Sequence, residues 1–270
     1  MSYTEINTNV ITFTKGKLDV KVFQSREEMG KDAAADVSEK IRELLDNKPE
    51  INMIFAAAPS QSDFMKELIG DDRIQWERIN AFHMDEYIGL EKDAPQGFGN
   101  FLKNAIFGKV PFKSIHYING NASDSELECN RYSALLESHP VDIVCLGIGE
   151  NGHIAFNDPP VADFNDPKMV KMVELETTCR QQQVNEKLFA EINLVPTHAI
   201  TVTIPALLKA KYMFCMVPAR NKAEAVYHTL NDEISEKCPA TILRTKKGVV
   251  LYLDEESASL MKQQSAFVAG

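Results

Sequence analysis

Short apolar runs alternate along this chain with stretches in which apolar residues recur every three or four positions. The runs Leu18–Phe23, Ile51–Ala57, Ile79–His83, Val141–Leu146, Ala199–Ile204, Tyr212–Val217 and Val249–Leu253 have the length and content of strands. Between them, Arg26–Leu45, Asp63–Ile69, Gly97–Phe107, Ser123–Ser138, Asn221–Leu230 and Glu255–Gln263 carry a helical pattern. Strands alternating with helices predict right-handed βαβ units. The expected fold is therefore α/β: a doubly wound, mostly parallel, Rossmann-like sheet with helices on both faces. The near-continuous apolar run at Val141–Leu146 suits a strand buried on both faces. No repeat, low-complexity tract or Gly/Ser linker divides the chain, which reads as one domain over residues 1–270. Ligands of such sheets bind beyond the carboxyl ends of the strands, so candidate chemistry is sought there.

Two segments stand out at those ends. The run Phe82–Leu90 (FHMDEYIGL) places Asp85 and Glu86 directly after a strand, where a carboxylate can act as a general base or, more plainly, cap a helix. The run Gly147–Pro159 (GIGENGHIAFNDP) gathers three glycines, Asn151, His153 and Asp158 after another strand. Glycines such as Gly149 let a backbone approach a ligand closely, and an imidazole is suited to proton transfer near neutral pH. As a dinucleotide fingerprint this segment is poor, because the glycine spacing alone is a weak signal. A third loop, Ala56–Phe64, offers Ser60, Gln61 and Ser62 at a helix start, which favours anions. It reads equally well as a capping turn with Ser62 or Asp63 as N-cap, and Asp63 opposes an anion there. Later cations, Arg180, Lys187, Arg220 and Lys222, are candidates through their placement near strand ends.

Composition narrows the partners. A net charge of −10 argues against a nucleic-acid surface. No apolar run reaches the ~18 residues of a membrane span, and the opening residues MSYTEINTNV lack the pattern of a secretory signal. Five widely spaced cysteines without CxxC or Cys/His ligand spacing predict neither a disulfide framework nor a metal site, and fit a reducing cytoplasm.

The two long segments resemble the signatures of the glucosamine-6-phosphate deaminase (isomerase) family, in the same order. Weaker similarity covers nearly the whole chain, including INGNA at 118–122, VPTHAITVTIPALL at 195–208 and RNKAEAV at 220–226. The resemblance implies conversion of glucosamine 6-phosphate and water to fructose 6-phosphate and ammonia, by ring opening and proton transfer between C2 and C1, with no cofactor. It assigns the C2 base to Asp85 and the ring-opening proton shuttle to His153, oriented by Asn151 and Asp158. Lys222 matches the family's phosphate-binding lysine, and Lys187 falls near its phosphate-binding arginine, with Arg180 as the alternative cation. The sequence departs from the pattern where Asn151 replaces Asp, where Asp158 replaces Glu, and where PSQSD replaces a Gly/Thr-rich phosphate loop. Relatives often assemble, so a homo-oligomer is an expectation without a legible interface. Two other readings compete: a non-catalytic sugar-phosphate sensor, and a 6-phosphogluconolactonase-like hydrolase.

Overall fold

The computed structural model describes residues 10–261. The strands are β1 (Ile11–Lys15), β2 (Leu18–Phe23), β3 (Ile51–Phe55), β4 (Ile79–His83), β5 (Asp85–Tyr87), β6 (Ser114–His116), β7 (Ile143–Leu146), β8 (Val170–Glu174), β9 (His198–Val202), β10 (Tyr212–Val217) and β11 (Val249–Asp254). The α-helices are α1 (Arg26–Leu45), α2 (Ser62–Ile69), α3 (Phe98–Leu102), α4 (Ser125–Ser138), α5 (Thr177–Asn185), α6 (Ile204–Leu208) and α7 (Ala223–Asn231). Most predicted elements are present, and α1 has the predicted bounds. The helix expected over Gly97–Phe107 instead breaks into α3 and a π-helical turn at Lys103–Phe107. The one expected over Glu255–Gln263 opens as a turn and turns helical only at 259–261, and its last two residues lie outside the described ones. So do most of the opening residues on which the signal reading rests.

Eight strands form the main sheet in the order β1-β2-β11-β10-β7-β3-β4-β6. Every neighbouring pair is parallel except β1 with β2. Along β10, Phe214 and Met216 enter one apolar layer while Met213, Cys215 and Val217 enter the other. Cys145 and Val144 of β7 divide the same way. Helices α1 and α2 supply the first layer, and α4, α6 and α7 the second, so both faces are covered as the apolar runs required. Among the described residues no helix is long and apolar enough to cross a membrane.

From β3 the chain steps outward through β4 to β6, then returns to β7 on the other side of β3 and continues outward to β10 and β11. The sheet thus reverses direction between β3 and β7, and a crevice opens beyond their carboxyl ends. The predicted strand at Ala199–Ile204 is displaced from this sheet. As β9 it lies at the centre of a separate antiparallel sheet, flanked by β5 and β8.

Helix α1 holds one wall of the crevice. Ser25 caps it, accepting a hydrogen bond from the Glu28 N–H, and Met29, Ala33, Val37, Ile41 and Leu44 form its buried stripe. Arg26 in its first turn bonds to the Asp63 carboxylate and the Pro59 carbonyl, which ties down the loop before α2. Gly30 lets the two helices meet: a Cβ there would lie 2.8 Å from the Asp63 Cβ and 3.0 Å from the Phe64 nitrogen. Gly30→Ala should therefore lose ~1–2 kcal/mol in chemical denaturation, because overpacking outweighs alanine's helix propensity. Unchanged or increased stability would show that the helices separate without cost.

Candidate active site

The crevice at the reversal spans about 540 Å³, its solvent-open mouth included. Its lining includes Ser60 from the loop after β3, Asp85 from β5, Gly149 and His153 from the loop after β7, and Lys222 from the turn before α7. Five predicted residues from four separate places in the chain thus converge on one cavity. Helix α5, which the sequence pattern did not reveal, adds Gln182, Gln183 and the cap residue Glu186.

Asp85 is only 5% exposed, and among the described residues no protein group donates a hydrogen bond to its carboxylate. Burial, reinforced by the charges of Glu86 and Asp158, raises its pKa well above the ordinary 3.8. Its backbone is held firmly. The Asp85 carbonyl accepts a hydrogen bond from His83 Nδ1 at 2.9 Å, while His83 Nε2 accepts the Ile118 N–H at 2.9 Å. Those contacts fix a neutral imidazole, and burial pushes the His83 pKa down to about 4. His83 is therefore structural.

His153 is held differently. Its Nδ1 faces Asn151 Oδ1 at 2.7 Å and Asp158 Oδ1 at 2.9 Å. Both neighbours are acceptors, so Nδ1 carries the proton and Nε2 keeps its lone pair in the neutral ring. The Asn151 amide is oriented by its other end, where Nδ2 donates to Asp158 Oδ1 at 3.0 Å and to Glu176 Oε2 at 2.7 Å. The reverse orientation would set an oxygen against two carboxylates. Asp158 Oδ2 accepts the Glu176 N–H at 3.3 Å. Burial raises the Asp158 pKa, but the His153 charge and the hydrogen bonds from His153, Asn151 and the Glu176 N–H outweigh it, leaving a net value below the usual 3.8. The Asn at 151 thus joins two carboxylates that an Asp would repel, and the shorter Asp158 still reaches the ring.

Gly149 serves this arrangement more directly than it serves a ligand. A Cβ at that position would fall 2.1–2.3 Å from three atoms of the His153 ring, so the imidazole lies against the bare Cα. Cys179 Sγ, a His153 ring nitrogen and an Asp158 oxygen lie within 4.8 Å of one another, the spacing of a metal site. The set is a poor ligand field as it stands. His153 Nδ1 is a donor to its neighbours, and burial together with the Asp158 charge keeps the Cys179 thiol protonated.

Other predicted residues lie elsewhere. Glu86 turns out of the crevice, and its carboxylate accepts the N–H groups of Tyr87, Phe98 and Gly99, the last two at the start of α3. Gln61 is fully buried and donates to Ser60 Oγ and the Met216 carbonyl, bracing the loop against β10. Ser62 opens α2 and is exposed, and neither it nor Asp63 caps that helix with its side chain. Asp63 is paired with Arg26, so the repulsion expected of it is answered locally. Arg180 Nη2 donates to the Ile192 and Val195 carbonyls, pinning the loop before β9.

Lys187 misses the crevice for a backbone reason. Helix α5 ends with Leu188 N–H bonded to the Gln183 carbonyl and Lys187 N–H bonded to the Val184 carbonyl. This is a Schellman ending, which demands left-handed backbone at Lys187 (φ 61°). Lys187 is consequently exposed, and the residue before it, Glu186, lines the crevice instead. Glu186 Oε1 accepts from Lys222 Nζ at 3.1 Å and from Gln182 Nε2 at 2.8 Å.

An α/β sheet carrying a buried carboxylate and an oriented imidazole at its point of reversal has the form of an acid–base enzyme of small molecules. Residues 24–252 match the model of the family described as glucosamine-6-phosphate isomerases/6-phosphogluconolactonase, and the chain belongs to that family. It is 37% identical over 226 residues to the glucosamine-6-phosphate deaminase of Bacillus cereus (strain B4264), covering 84% of each chain. With that of Bacillus cereus (strain G9842) it shares 36% over 250 residues, covering 92% of this chain and 91% of the relative. Among solved structures, a monomeric glucosamine-6-phosphate deaminase superimposes with a TM-score of 0.80 at 32% identity, covering 89% of this chain and 99% of that one. The 6-phosphogluconolactonase of Thermotoga maritima gives a TM-score of 0.72 at 20% identity, covering 88% and 100%, a likeness of fold.

Because the imidazole occupies the space of a side chain at 149, Gly149→Ala should displace it. We expect kcat/KM to fall at least ~10²-fold while the thermal transition stays cooperative. Full activity in that variant would mean that the ring position does not matter.

Proposed function

We infer that this chain opens the ring of an amino-sugar phosphate, isomerises it and deaminates it, converting glucosamine 6-phosphate and water to fructose 6-phosphate and ammonia. The observation that carries this reading is an unpartnered buried carboxylate, Asp85, sharing one crevice with the oriented imidazole of His153. Family membership supports it, as do the relatives named for that reaction.

In this reading His153 Nε2 takes the proton of the C1 hydroxyl and passes it to the ring oxygen as the bond from C1 to that oxygen breaks and the C1 carbonyl forms, and Asp158 stabilises the imidazolium in between. Asp85 then takes the C2 proton, and the C–H electron pair becomes the C1=C2 double bond as the C1 oxygen gains a proton. The C2 ammonium releases a proton to solvent, and its lone pair forms the C2=N bond as the C1=C2 pair takes a proton at C1, leaving a protonated imine at C2. Water adds to that carbon and ammonia departs. The raised Asp85 pKa makes it a stronger base than an exposed carboxylate, and the ammonium on C2 of the arriving sugar favours its ionised form.

In this reading no step requires a cofactor. Five buried, unpaired cysteines support a cytoplasmic setting.

Asp85→Asn should lower ammonia release by ~10²–10⁴-fold while binding of fructose 6-phosphate remains measurable by calorimetry. Near-normal turnover would remove Asp85 as the base. The same variant should be more stable at neutral pH. A carboxyl whose pKa rises on folding contributes stability below its unfolded value and loses it as pH climbs through the folded value, so the wild type carries a penalty that Asn lacks. A gain of about 1 kcal/mol would appear as a Tm increase of ~2–4 °C.

Since the base must be ionised, kcat/KM should fall as pH drops through the raised Asp85 pKa. The acid limb of the pH profile is therefore expected above the ordinary 3.8 of an aspartic acid. A limb at or below that value would contradict the electrostatics described for this carboxylate.

A further inference from the structure

The crevice holds groups fit for acid–base chemistry and, with them, a cation whose charge is already balanced. Of the described residues that line it, Lys222 is the one Lys or Arg. Lys222 is 4% exposed, and its Nζ lies 3.1 Å from Glu186 Oε1. Glu186 is itself mostly buried, held by Gln182 Nε2, and Gln182 Oε1 in turn accepts the Glu150 N–H at 2.8 Å. The carboxylate is thus fixed from behind by a chain of hydrogen bonds that starts in the loop carrying His153. In the same crevice, the Ser60 hydroxyl accepts from Gln61 and retains its proton to donate.

We propose that Glu186 is a specificity residue: a built-in counter-ion that occupies Lys222 and sets how strongly the crevice accepts a phosphate. The proposal rests on the amino-sugar reading of the crevice and concerns the group carried on the sugar's C6. A phosphate dianion needs a cation in so enclosed a place, and the available ammonium already holds a carboxylate at hydrogen-bond distance. Phosphate must therefore displace Glu186 or sit beside its charge, and either route weakens binding of the phosphorylated sugar. A sugar with a neutral C6 hydroxyl meets no such opposition. Glu186 acts on substrate choice through Lys222, leaving the proton transfers to Asp85 and His153.

The test is Glu186→Gln, which keeps nearly the same shape and can still bond to Lys222, but removes the charge. Steady-state ammonia release is measured with glucosamine 6-phosphate and with glucosamine, and calorimetry measures Kd for fructose 6-phosphate and inorganic phosphate. We expect KM for glucosamine 6-phosphate and Kd for fructose 6-phosphate to fall at least ~10-fold, with a much smaller change in kcat, while KM for glucosamine moves by less than ~3-fold. In a Lys222→Gln background the same substitution should give no such gain, since the competition needs the cation. Unchanged constants, equal shifts for both sugars, an undiminished gain in the Lys222→Gln background, or no anion binding by either protein would each overturn the proposal. If the wild type releases ammonia from neither sugar, the deaminase reading fails, and the calorimetric arm still decides the role of Glu186.

Discussion

The crevice depends on strand β9, and within it on Thr201. The backbone of Thr201 pairs with Asp85 in the small antiparallel sheet, while its hydroxyl oxygen accepts the Phe156 N–H at 3.1 Å. One residue further, the Val202 N–H bonds to the Met84 carbonyl and the Val202 carbonyl accepts Asn157 Nδ2. Asp85 follows β4 and His153 follows β7, two strands separated by β3 in the main sheet. Neither loop alone fixes the other's position. A short stretch of β9 grips both, so the relative placement of base and imidazole is set by buried backbone and side-chain hydrogen bonds rather than by loop stiffness.

Three buried carboxylates near this strand show how differently the fold treats one kind of group. Glu86 receives backbone N–H bonds, yet burial still raises its pKa, and it serves to start α3. Asp158 is buried too, but His153 and Asn151 hold it ionised. Asp85 receives neither compensation. A buried carboxylate without donors is a cost to folding, and its position facing a cavity makes it reactive. Stability and reactivity are opposed at this atom pair, which is why one substitution can raise one and remove the other.

Much of this was legible in the sequence because it follows from local pattern. Alternating apolar runs identified the parallel sheet, and the clusters after Ile79–His83 and Val141–Leu146 lay at carboxyl ends where ligands bind. The small sheet was harder to see. β5 and β8 are three and five residues long, and β9 looks like any buried strand until its partners are known. Helix α5 (TTCRQQQVN) is polar almost throughout, so it has little apolar stripe to read. Glu86, Gln61 and Arg180 are tied to backbone groups instead of being free to face the crevice, for a shared reason: residue type and proximity to a strand end do not reveal whether a polar group already has a backbone partner.

The substitution of Glu186 for Lys187 at the crevice shows how far a one-residue effect can reach. Residue 187 takes the left-handed position that ends α5, a place usually given to glycine, and so projects into solvent. The same turn carries residue 186 inward against Lys222. The local rule that terminates a helix therefore decides the sign of a buried charge, and with it the electrostatic character of the pocket. Extending α5 by one residue would place residue 187 about 100° around the helix axis from residue 186, as helical geometry requires. The charge of this pocket is thus a property of where a helix stops as much as of which residues the chain contains.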